Sequence, residues 1–353
     1  MIMTNKYSFK FINLSAWFII SLLFNNVSAQ TVTTMGSGFT NPYDVAVDNN
    51  GNIYVADYGN SKVKKMDSSG GGISIINSGT IYPSAVTVDT NGNIYVLSIG
   101  DGTLRKITPS NTETTLFTII SQMTDIQIDS NGNIYIVDFG NNVIKKFDSN
   151  GANPSILGSG FLNPGGIAFD ASGNIYVADY GHNAIKKMNA SGNNITTLAS
   201  GLGGPYGIAL DSNGNIYFSE AATGNVKKMN NTGGGISTIA SGLTMPAGLC
   251  IDNVGNIYVA DLGGSLIKKI TFNLSINETK NTSFLIYPNP AKDYVTISNI
   301  KRGAMVSLYE ATGKLLFSTK SNDANITINT SNFKTGMYLV SVDGQTSKLI
   351  ISK

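Results

Sequence analysis

The sequence contains a single cysteine, a single histidine and a single tryptophan among 353 residues, and only 13% of its residues are charged. The lone cysteine, Cys250, excludes an internal disulfide, so packing alone must hold the fold. The lone histidine, His182, excludes a zinc site built from three histidine ligands. No glycine-rich phosphate loop and no Ser-His-Asp arrangement stands out.

Net charge is also low. The chain has a formal net charge of +2, and residues 1–29 hold two lysines and no acid. Without that segment, 22 basic residues would face 22 acidic ones. A neutral chain has no general attraction for nucleic acid, so we expect no nucleic-acid partner. What is abundant is glycine, 39 residues, which together with a hydrophobic content of 41% indicates a packed core and many tight turns.

The first 29 residues have the pattern of a secretory signal peptide. Lys6 and Lys10 supply positive charge, an apolar stretch follows at 11–24, and Val-Ser-Ala at 27–29 has the small-x-small pattern of a cleavage site. The alternative is a membrane anchor, but the apolar run is shorter than the roughly 20 residues that a spanning helix needs. We expect export, cleavage after residue 29, and no transmembrane span in the mature chain.

Internal repetition is the strongest pattern in the chain. Each repeat contains an apolar segment, an Asp before a Gly-Asn turn, an Ile-Tyr-Val-like segment and two further short segments. Four short strands in about 40 residues is the spacing of a propeller blade, and these segments are too short for helical repeats. The tetrapeptide Gly-Asn-Ile-Tyr begins at Gly51, Gly92, Gly132, Gly173, Gly214 and Gly255. The sequence therefore predicts an all-β fold, with a six-bladed β-propeller over residues 30–272.

The closure of the ring can be predicted as well. Residues 31–38 resemble the fourth-strand segment that begins at 195. We predict that they form the outer strand of the sixth blade, whose other three strands come from residues 243–270. Such pairing of the two chain ends hides strand edges that would otherwise aggregate.

The patterns Pro-x-Gly-Ile-Ala-x-Asp, Gly-Asn-Ile-Tyr-Val-Ala-Asp-x-Gly-Asn and x-Ile-Lys-Lys resemble the NHL repeat. They also resemble the wider class that contains gluconolactonases and streptogramin lyases. The resemblance implies the fold but not the function, because this fold hosts adhesins, RNA binders, lyases and lactonases. A single histidine excludes the histidine-dependent enzymes of this class, whereas a calcium-dependent lactonase using Glu, Asn and Asp stays open.

Composition changes after the last repeat. Residues 273–283 are rich in Asn, Thr and Ser and indicate a linker. Residues 284–353 contain short β-rich segments separated by turns, which predict a small immunoglobulin-like β-sandwich. The expected strands are 294–297, 305–309, 314–317, 325–328, 337–342 and 348–351.

Residues 284–353 resemble the C-terminal sorting domain of type IX secretion substrates in Bacteroidota. The resemblance implies that the type IX machinery is a partner, and that the protein is secreted or held at the outer cell surface. An ordinary immunoglobulin-like accessory domain is the alternative. The sorting-motif residues are Tyr287, Pro288, Asn289, Pro290, Gly336, Tyr338, Lys348 and Lys353.

Candidate ligand-binding residues lie where the second strand of each repeat ends. We expect these ends to meet on one face of the disk, around the mouth of the central channel. Acids there can bind a hard cation such as calcium, or each can cap its own loop through backbone N–H groups. Ser98 and Glu220 break the repeat and are the strongest candidates. The six positions are Asp57, Ser98, Asp138, Asp179, Glu220 and Asp261.

Aromatic residues follow three of these positions, at Tyr58, Phe139 and Tyr180, and Tyr43 and Tyr206 lie near the starts of first strands. They form a stacking platform for a sugar or peptide, or they pack between blades; both interpretations stay open.

Paired bases occur in the third strand of every repeat. Neighbours on a strand face opposite sides, so one base of each pair must extend its stem along a blade face. The bases can bind a polyanion or form a solvated rim that resists aggregation. The pairs begin at Lys64, Arg105, Lys145, Lys186, Lys227 and Lys268.

Uniform short loops and few catalytic residue types favour an exported, noncatalytic binding module. Its ligand is a carbohydrate, a peptide or a surface protein, and no cofactor is expected. The alternative is a metal-dependent lactonase or lyase, for which calcium is the expected metal.

Overall fold

The computed structural model describes residues 30–76, 79–118, 121–272, 284–310 and 315–352. These residues form two compact units, Gln30–Phe272 and the described part of Asn273–Lys353. The structure is almost entirely β, with no α-helix in the described ranges and 3₁₀ turns at Tyr58–Asn60 and Tyr180–His182. The expected signal peptide and linker lie outside the described residues.

The first unit consists of six antiparallel four-stranded sheets. The first strand of each sheet contacts the first strands of the two neighbouring sheets, so the six first strands surround the centre of a closed ring. We number the sheets as blades 1–6 and their strands first to fourth from the centre outward. The all-β propeller expected from the repeats is thereby confirmed.

The strands of the blades have the following bounds. Blade 1 contains β2 (Pro42–Val47), β3 (Ile53–Asp57), β4 (Lys62–Met66) and β5 (Ser74–Ile76). Blade 2 contains β6 (Pro83–Val88), β7 (Ile94–Ser98), β8 (Thr103–Ile107) and β9 (Glu113–Thr118). Blade 3 contains β10 (Met123–Ile128), β11 (Ile134–Asp138), β12 (Val143–Phe147) and β13 (Ser155–Leu157).

The other three blades follow the same order. Blade 4 contains β14 (Pro164–Phe169), β15 (Ile175–Asp179), β16 (Ala184–Met188) and β17 (Thr196–Ala199). Blade 5 contains β18 (Pro205–Leu210), β19 (Ile216–Glu220), β20 (Asn225–Met229) and β21 (Ser237–Ala240). Blade 6 contains β22 (Pro246–Ile251), β23 (Ile257–Asp261), β24 (Leu266–Phe272) and β1 (Gln30–Met35).

The ring closes as the sequence predicts. Strand β1 pairs antiparallel with β24, from Gln30 opposite Phe272 to Met35 opposite Ile267. Met35 is buried in the core that blade 6 shares with blade 1. Lys268 adds a cross-strand hydrogen bond, with Nζ donating to Thr34 Oγ1 over 2.8 Å. The first strand in the chain thus joins the last strand of the ring.

The second strands form the core because each is enclosed on both faces. All five residues of every second strand are buried, since one face packs on the preceding blade and the other on the next. Tyr176 and Ala178 of blade 4, for example, share a hydrophobic cluster with Ile216 and Phe218 of blade 5. This packing requires the β-branched and aromatic residues that recur in each repeat.

The Gly-Asn-Ile-Tyr repeat is explained by a turn that every blade shares. Asp48 Oδ1 accepts the backbone N–H of Asn52 over 2.8 Å, and its Oδ2 accepts the Tyr54 hydroxyl over 3.1 Å. Gly51 occupies the turn with φ of 79°, which a residue with a Cβ rarely adopts. Lys65 lies over the Tyr54 ring at 5.4 Å. The same Asp, Tyr and Lys contacts recur in all six blades.

The second unit contains two antiparallel sheets that share one hydrophobic core. The expected strands are confirmed with longer ends, except that residue 314 lies outside the described residues. One sheet contains β25 (Leu285–Tyr287), β26 (Tyr294–Ser298) and β29 (Asn325–Asn329). The other contains β28 (Leu315–Lys320), β27 (Met305–Glu310), β30 (Gly336–Val342) and β31 (Gln345–Ile351).

Deleting residues 30–38 from the mature chain tests the ring closure. The deletion exposes the β24 edge and removes the buried Met35, so we expect a loss of about 3 kcal/mol or more in the free energy of unfolding. This corresponds to a fall of about 10 °C in the melting temperature. A truncated protein that melts with the intact one would contradict the closure.

Candidate functional site

The loops at the ends of the second strands contact the loops that lead into the first strands. In blade 1 the Gly59 N–H donates to the Thr40 carbonyl over 2.8 Å, and in blade 4 the Gly181 N–H donates to Leu162 over 2.8 Å. These two sets of loops therefore lie on one face of the propeller, as expected. We call it the loop face. Its described residues are 36–41, 58–61, 79–82, 99–102, 121–122, 139–142, 158–163, 180–183, 200–204, 221–224, 241–245 and 262–265.

The six candidate residues at the ends of the second strands do not face open space. Their exposed fractions lie between 0% and 3%. Three of the aspartates accept the backbone N–H of the residue seventeen positions earlier, over 2.7–2.8 Å. They are Asp57, Asp179 and Asp261. Glu220 accepts the Gly203 N–H over 2.9 Å. Each carboxylate thus ties the incoming loop to its own blade.

The same carboxylates also hold the outgoing loop. His182 Nδ1 lies 2.8 Å from Asp179 Oδ2, and Thr223 Oγ1 donates to Glu220 over 2.7 Å. Asn60 and Asn141 donate in the same way to their blades' acids over 2.8 and 2.9 Å. The single histidine therefore occupies the position that asparagine or threonine fills elsewhere.

The third-strand bases complete this arrangement, which we call the carboxylate latch. The Nζ to carboxylate distances are 2.6–2.9 Å, and the acids are fully buried. Burial would raise the pKa of Glu220, but the hydrogen bonds from Gly203, Thr223 and Lys227 lower it below its usual range. The pairs are Lys64 with Asp57, Lys145 with Asp138, Lys186 with Asp179 and Lys227 with Glu220.

Two blades modify the latch. In blade 2, Ser98 Oγ accepts the Ile81 N–H over 2.8 Å, and the third-strand base, Arg105, pairs with Asp101 at 2.6 Å instead. In blade 6, burial raises the pKa of Asp261, whose lysine reaches the closing strand. The geometry favours the loop-capping interpretation of these positions. A ligand role for the six residues stays a prediction.

The aromatic candidates come together on the loop face. The ring centroids of Tyr58, Tyr43 and Tyr206 follow each other at 5.7 and 5.8 Å, and Tyr180 lies 6.0 Å from Tyr206. Phe139 extends the row from Tyr180 at 6.3 Å. Sequence reasoning missed Tyr82, which adds a sixth ring 5.1 Å from Tyr58. We call this row, Tyr82–Tyr58–Tyr43–Tyr206–Tyr180–Phe139, the aromatic ridge.

The ridge crosses the mouth of the channel. The hydroxyls of Tyr43 and Tyr206 lie 2.6 Å apart, which joins blade 1 to blade 5 across the ring. Tyr206 lines the channel, and burial raises the pKa of its hydroxyl. The exposed rings are those at the sides, with Tyr82 and Tyr180 at 46% and 36% exposure. Of the three rings that follow second strands, Tyr180 is exposed, and Tyr58 and Phe139 are half-buried.

Below the ridge, the channel contains a cavity of about 210 Å³ with two carboxylates in its wall. Asp44 Oδ2 accepts the Val86 N–H of blade 2 over 2.9 Å, and Asp125 Oδ2 accepts the Ile167 N–H of blade 4 over 2.7 Å. Burial, then repulsion from Asp125, raises the pKa of Asp44, and burial raises the pKa of Asp125 to about 6.

Sequence reasoning missed these two acids, although the repeat contains a signal. Asp44 and Asp125 occupy the position that the other blades fill with Ala85, Gly166, Gly207 and Gly248. A Cβ on Gly248 would overlap the Asp44 carboxylate, so the neighbouring first strand of blade 6 must carry no side chain at this position. The carboxylates thus break the symmetry of an otherwise small-residue position.

No group of three or more His, Cys, Asp or Glu side chains in the described ranges is arranged to hold a metal ion. Calcium binding therefore stays a prediction. Cys250 lines the channel at a position where three other blades have alanine, and burial raises the pKa of its thiol. No helix in the described part of the chain is long and apolar enough to cross a bilayer.

The sorting-motif residues surround the last strand of the second unit. Asn289 Nδ2 donates to the Lys348 carbonyl over 2.8 Å, and Asn289 Oδ1 accepts the Ile350 N–H over 2.8 Å. Tyr338 is buried, and its hydroxyl donates to the Lys334 carbonyl over 2.8 Å. Tyr287 is half exposed at 50%. Pro288 and Pro290 flank Asn289, Gly336 begins β30, and Lys353 lies outside the described residues.

Comparison with known families matches both parts of the chain. Residues 285–353 match the secretion system C-terminal sorting domain, and residues 39–66 and 161–188 match the NHL repeat. The beta-agarase A of Zobellia galactanivorans is 31% identical over 96 residues, 24% of this chain and 18% of the relative. An ulvan lyase of Nonlabens ulvanivorans is 36% identical over 83 residues, 23% of this chain and 15% of the relative. The chain thus spans less than a fifth of either relative.

Solved structures show the same propeller fold. A gluconolactonase from Xanthomonas campestris superposes with a TM-score of 0.60 at 14% identity, over 68% of this chain and 89% of that chain. A chain of the nidogen–laminin complex superposes with a TM-score of 0.52 at 21% identity, over 56% of this chain and 79% of that chain. At these identities the likeness concerns the fold alone.

Asp125→Asn tests the channel carboxylates. A folded-state pKa of about 6, against 3.8 in the unfolded chain, stabilises the fold below about pH 4, and that contribution is lost as the pH rises through 6. We therefore expect the free energy of unfolding of the variant to exceed that of the parent by up to about 3 kcal/mol at pH 8, which raises its melting temperature. Near pH 4 the difference should vanish. Equal melting curves at pH 8 would contradict the buried charge.

Asn289→Ala tests the two hydrogen bonds by which the Asn289 side chain holds β31, which we call the Asn289 clamp. The variant loses two hydrogen bonds to β31, at a cost of about 1–3 kcal/mol. We expect less secreted protein and more in the periplasm, measured by immunoblotting of the fractions. Asn325→Ala, at the exposed start of β29, is the matched control. Normal secretion of Asn289→Ala would show that the clamp is dispensable for sorting.

Proposed function

Because the chain is an exported NHL-repeat propeller with a type IX secretion sorting domain, we propose that it is a noncatalytic module that binds polysaccharide on its aromatic ridge. Export to the medium or the cell surface brings the propeller to extracellular polymers. The observation that carries the proposal is the unbroken row of six rings across the channel mouth.

The ridge has the surface chemistry that a sugar chain requires. Tyrosine presents a flat apolar ring with a polar edge, so it can stack on the C–H face of a sugar while its hydroxyl stays hydrogen-bonded. Consecutive ring centroids are 5.1–6.3 Å apart, which is comparable with the size of one sugar ring. A row of rings suits an extended polymer better than a single small molecule.

Amide and hydroxyl groups border the rings and supply hydrogen-bonding partners. Asn41 and Asn60 are exposed on the loop face near Tyr43 and Tyr58, and Asn141 follows Phe139 in the same way. Sugar hydroxyls both donate and accept hydrogen bonds, and so do amide groups. The border therefore matches a polyhydroxyl ligand.

The loops that carry the rings are held before any ligand arrives. Besides the latch within each blade, the Asn163 N–H donates to Asn142 Oδ1 over 2.6 Å, and the Gly204 N–H donates to Asn183 Oδ1 over 3.1 Å. These bonds tie each loop to the next blade. A preformed surface loses little conformational entropy on binding, which supports recognition by stacking.

The curated relatives are consistent with this class of ligand. Their names, an agarase and an ulvan lyase, describe proteins that act on polysaccharides. Since each matches less than a quarter of this chain, the proposal rests on the ridge, and the relatives only favour polysaccharide over peptide.

Catalysis by the loop-face acids is less well supported. A general acid or base must reach its substrate proton, but the Glu220 carboxylate is fully buried and already accepts hydrogen bonds from Gly203, Thr223 and Lys227. The same holds for the acids of blades 1, 3 and 4. A lactonase or lyase at these positions would have to open the latch first.

Replacing two ridge residues, the half-buried Tyr58 and the exposed Tyr180, tests the proposal. We expect the double variant Tyr58→Ala/Tyr180→Ala to bind polysaccharide about 10- to 100-fold more weakly, because each stacked ring contributes roughly 0.7–1.4 kcal/mol. Affinity electrophoresis in gels that contain agarose, xylan or laminarin measures the change. Tyr294→Ala, an exposed tyrosine of the sorting domain at 56% exposure, is the matched control.

Three results would count against the proposal. One is unchanged retardation of the double variant, another is binding to peptides but to none of the polymers, and the third is turnover of a lactone panel that Glu220→Gln abolishes. The first result would show that the ridge is not the binding site. The second would show that the ligand is a peptide, and the third that the protein is an enzyme.

A further inference from the structure

The charge distribution of the loop face narrows the ligand further. We infer that the ridge selects neutral polysaccharides and discriminates against sulfated or uronic acid polymers; the inference rests on the proposed polysaccharide binding. It follows from three separate features of the propeller, namely the composition of the loops, the pairing of the bases and the acids of the channel.

The loop face is almost free of charged residues. Its twelve segments contain no lysine, arginine or glutamate, and their charged or titratable members besides tyrosine are Asp101 and His182. Asp101 is already paired with Arg105, and His182 with Asp179. Polymers rich in sulfate are recognised through arginine and lysine, which form charge-assisted hydrogen bonds with the anion. The loops around the ridge offer no such group.

Five of the six third-strand bases near the loop face are paired with carboxylates: four with the acid of their own latch and Arg105 with Asp101 and Glu113. The sixth, Lys268, donates to Thr34 of the closing strand. Lys64, Lys145, Lys186 and Lys227 have side-chain exposures of only 13–23%, and each contacts a fully buried carboxylate. A ligand sulfate would have to separate such a pair and leave the carboxylate buried and unpaired, which is strongly unfavourable. Lys62, at the start of β4, is an exposed base in blade 1, and a single charge supports little polyanion binding.

The channel adds repulsion below the centre of the ridge. Asp44 and Asp125 line the cavity under Tyr206, and they carry negative charge once the pH exceeds their raised pKa values. Fields from buried charges are poorly screened by salt. An anionic chain that crosses the channel mouth above Tyr43 and Tyr206 would therefore experience repulsion, whereas a neutral chain would not.

The opposite face shows that the separation of charge is built into each repeat. There, every blade presents an aspartate turn, such as that of Asp48, and a lysine such as Lys65 over the adjacent tyrosine. The six turns and six lysines recur without exception. The aspartate turns and their lysines thus lie at one end of the blades, and the rings of the aromatic ridge lie at the other.

The test compares the secreted chain on a matched pair of polymers, a carrageenan and the same carrageenan after chemical desulfation. We expect at least about tenfold tighter binding to the desulfated polymer, with little change between about 0.1 M and 1 M NaCl, because no charge pair is screened. The measurement is affinity electrophoresis, with the Tyr58→Ala/Tyr180→Ala variant included to identify ridge binding.

A charge added to the loop face should reverse the selectivity. Gln122 is exposed in the loop that contacts Gly140, the residue after Phe139. We expect Gln122→Lys to increase binding of the sulfated polymer at least about threefold, with loss of the gain at high salt. Asn50→Lys adds the same charge on the opposite face, at an exposed turn, and should give no such gain.

The outcomes separate this inference from the proposed function. Preference for the desulfated polymer, lost in the double tyrosine variant, supports both. Tighter, salt-sensitive and ridge-dependent binding of the sulfated polymer overturns the inference and leaves the polysaccharide-binding function in place. Retardation by neither polymer, nor by agarose, xylan or laminarin, overturns both.

Discussion

The buried carboxylate that ends the second strand in five of the six blades is the contact on which the loop face depends. In four blades it accepts hydrogen bonds from the incoming loop, the outgoing loop and a third-strand lysine at once. Taking an isolated carboxylate out of water is costly, and this cost is offset only while all of its partners are in place. The latch therefore couples the positions of the loops to the integrity of the blade, and the loops in turn carry Tyr58, Phe139 and Tyr180.

Blade 2 shows how strict this constraint is. Where Ser98 replaces the acid, the third-strand base has no buried partner at the strand end, and Arg105 pairs with Asp101 and Glu113. The serine hydroxyl still serves the Ile81 backbone by both donating and accepting. Ser98 and Glu220 interrupt the repeat of aspartates, which singles them out in the sequence as ligand-binding candidates. In the structure, both make the loop contacts that aspartate makes in the other blades.

Much of this architecture follows from the repeat. A strict 40- or 41-residue period with Gly-Asn-Ile-Tyr in each unit specifies blade number, strand order and the closing strand, because each blade must cover its neighbour.

The contacts across the ring cannot be predicted from the repeat. Nothing in the sequence spacing shows that Tyr43 and Tyr206, from blades 1 and 5, meet over the channel, or that Tyr82 extends their row. Asp44 and Asp125 were detectable as departures from a small-residue position, but only the narrowness of the channel gives that position its meaning.

The central claim is that a neutral sugar chain lies along the aromatic ridge. Hydrogen–deuterium exchange of the secreted chain, with and without a neutral agarose oligosaccharide, tests it most directly because exchange reports each loop separately. The account expects slower exchange at 58–61, 80–82, 139–142 and 180–183, with the aspartate turns of the opposite face unchanged. Protection of those turns instead, or of neither face at saturating oligosaccharide, would contradict it.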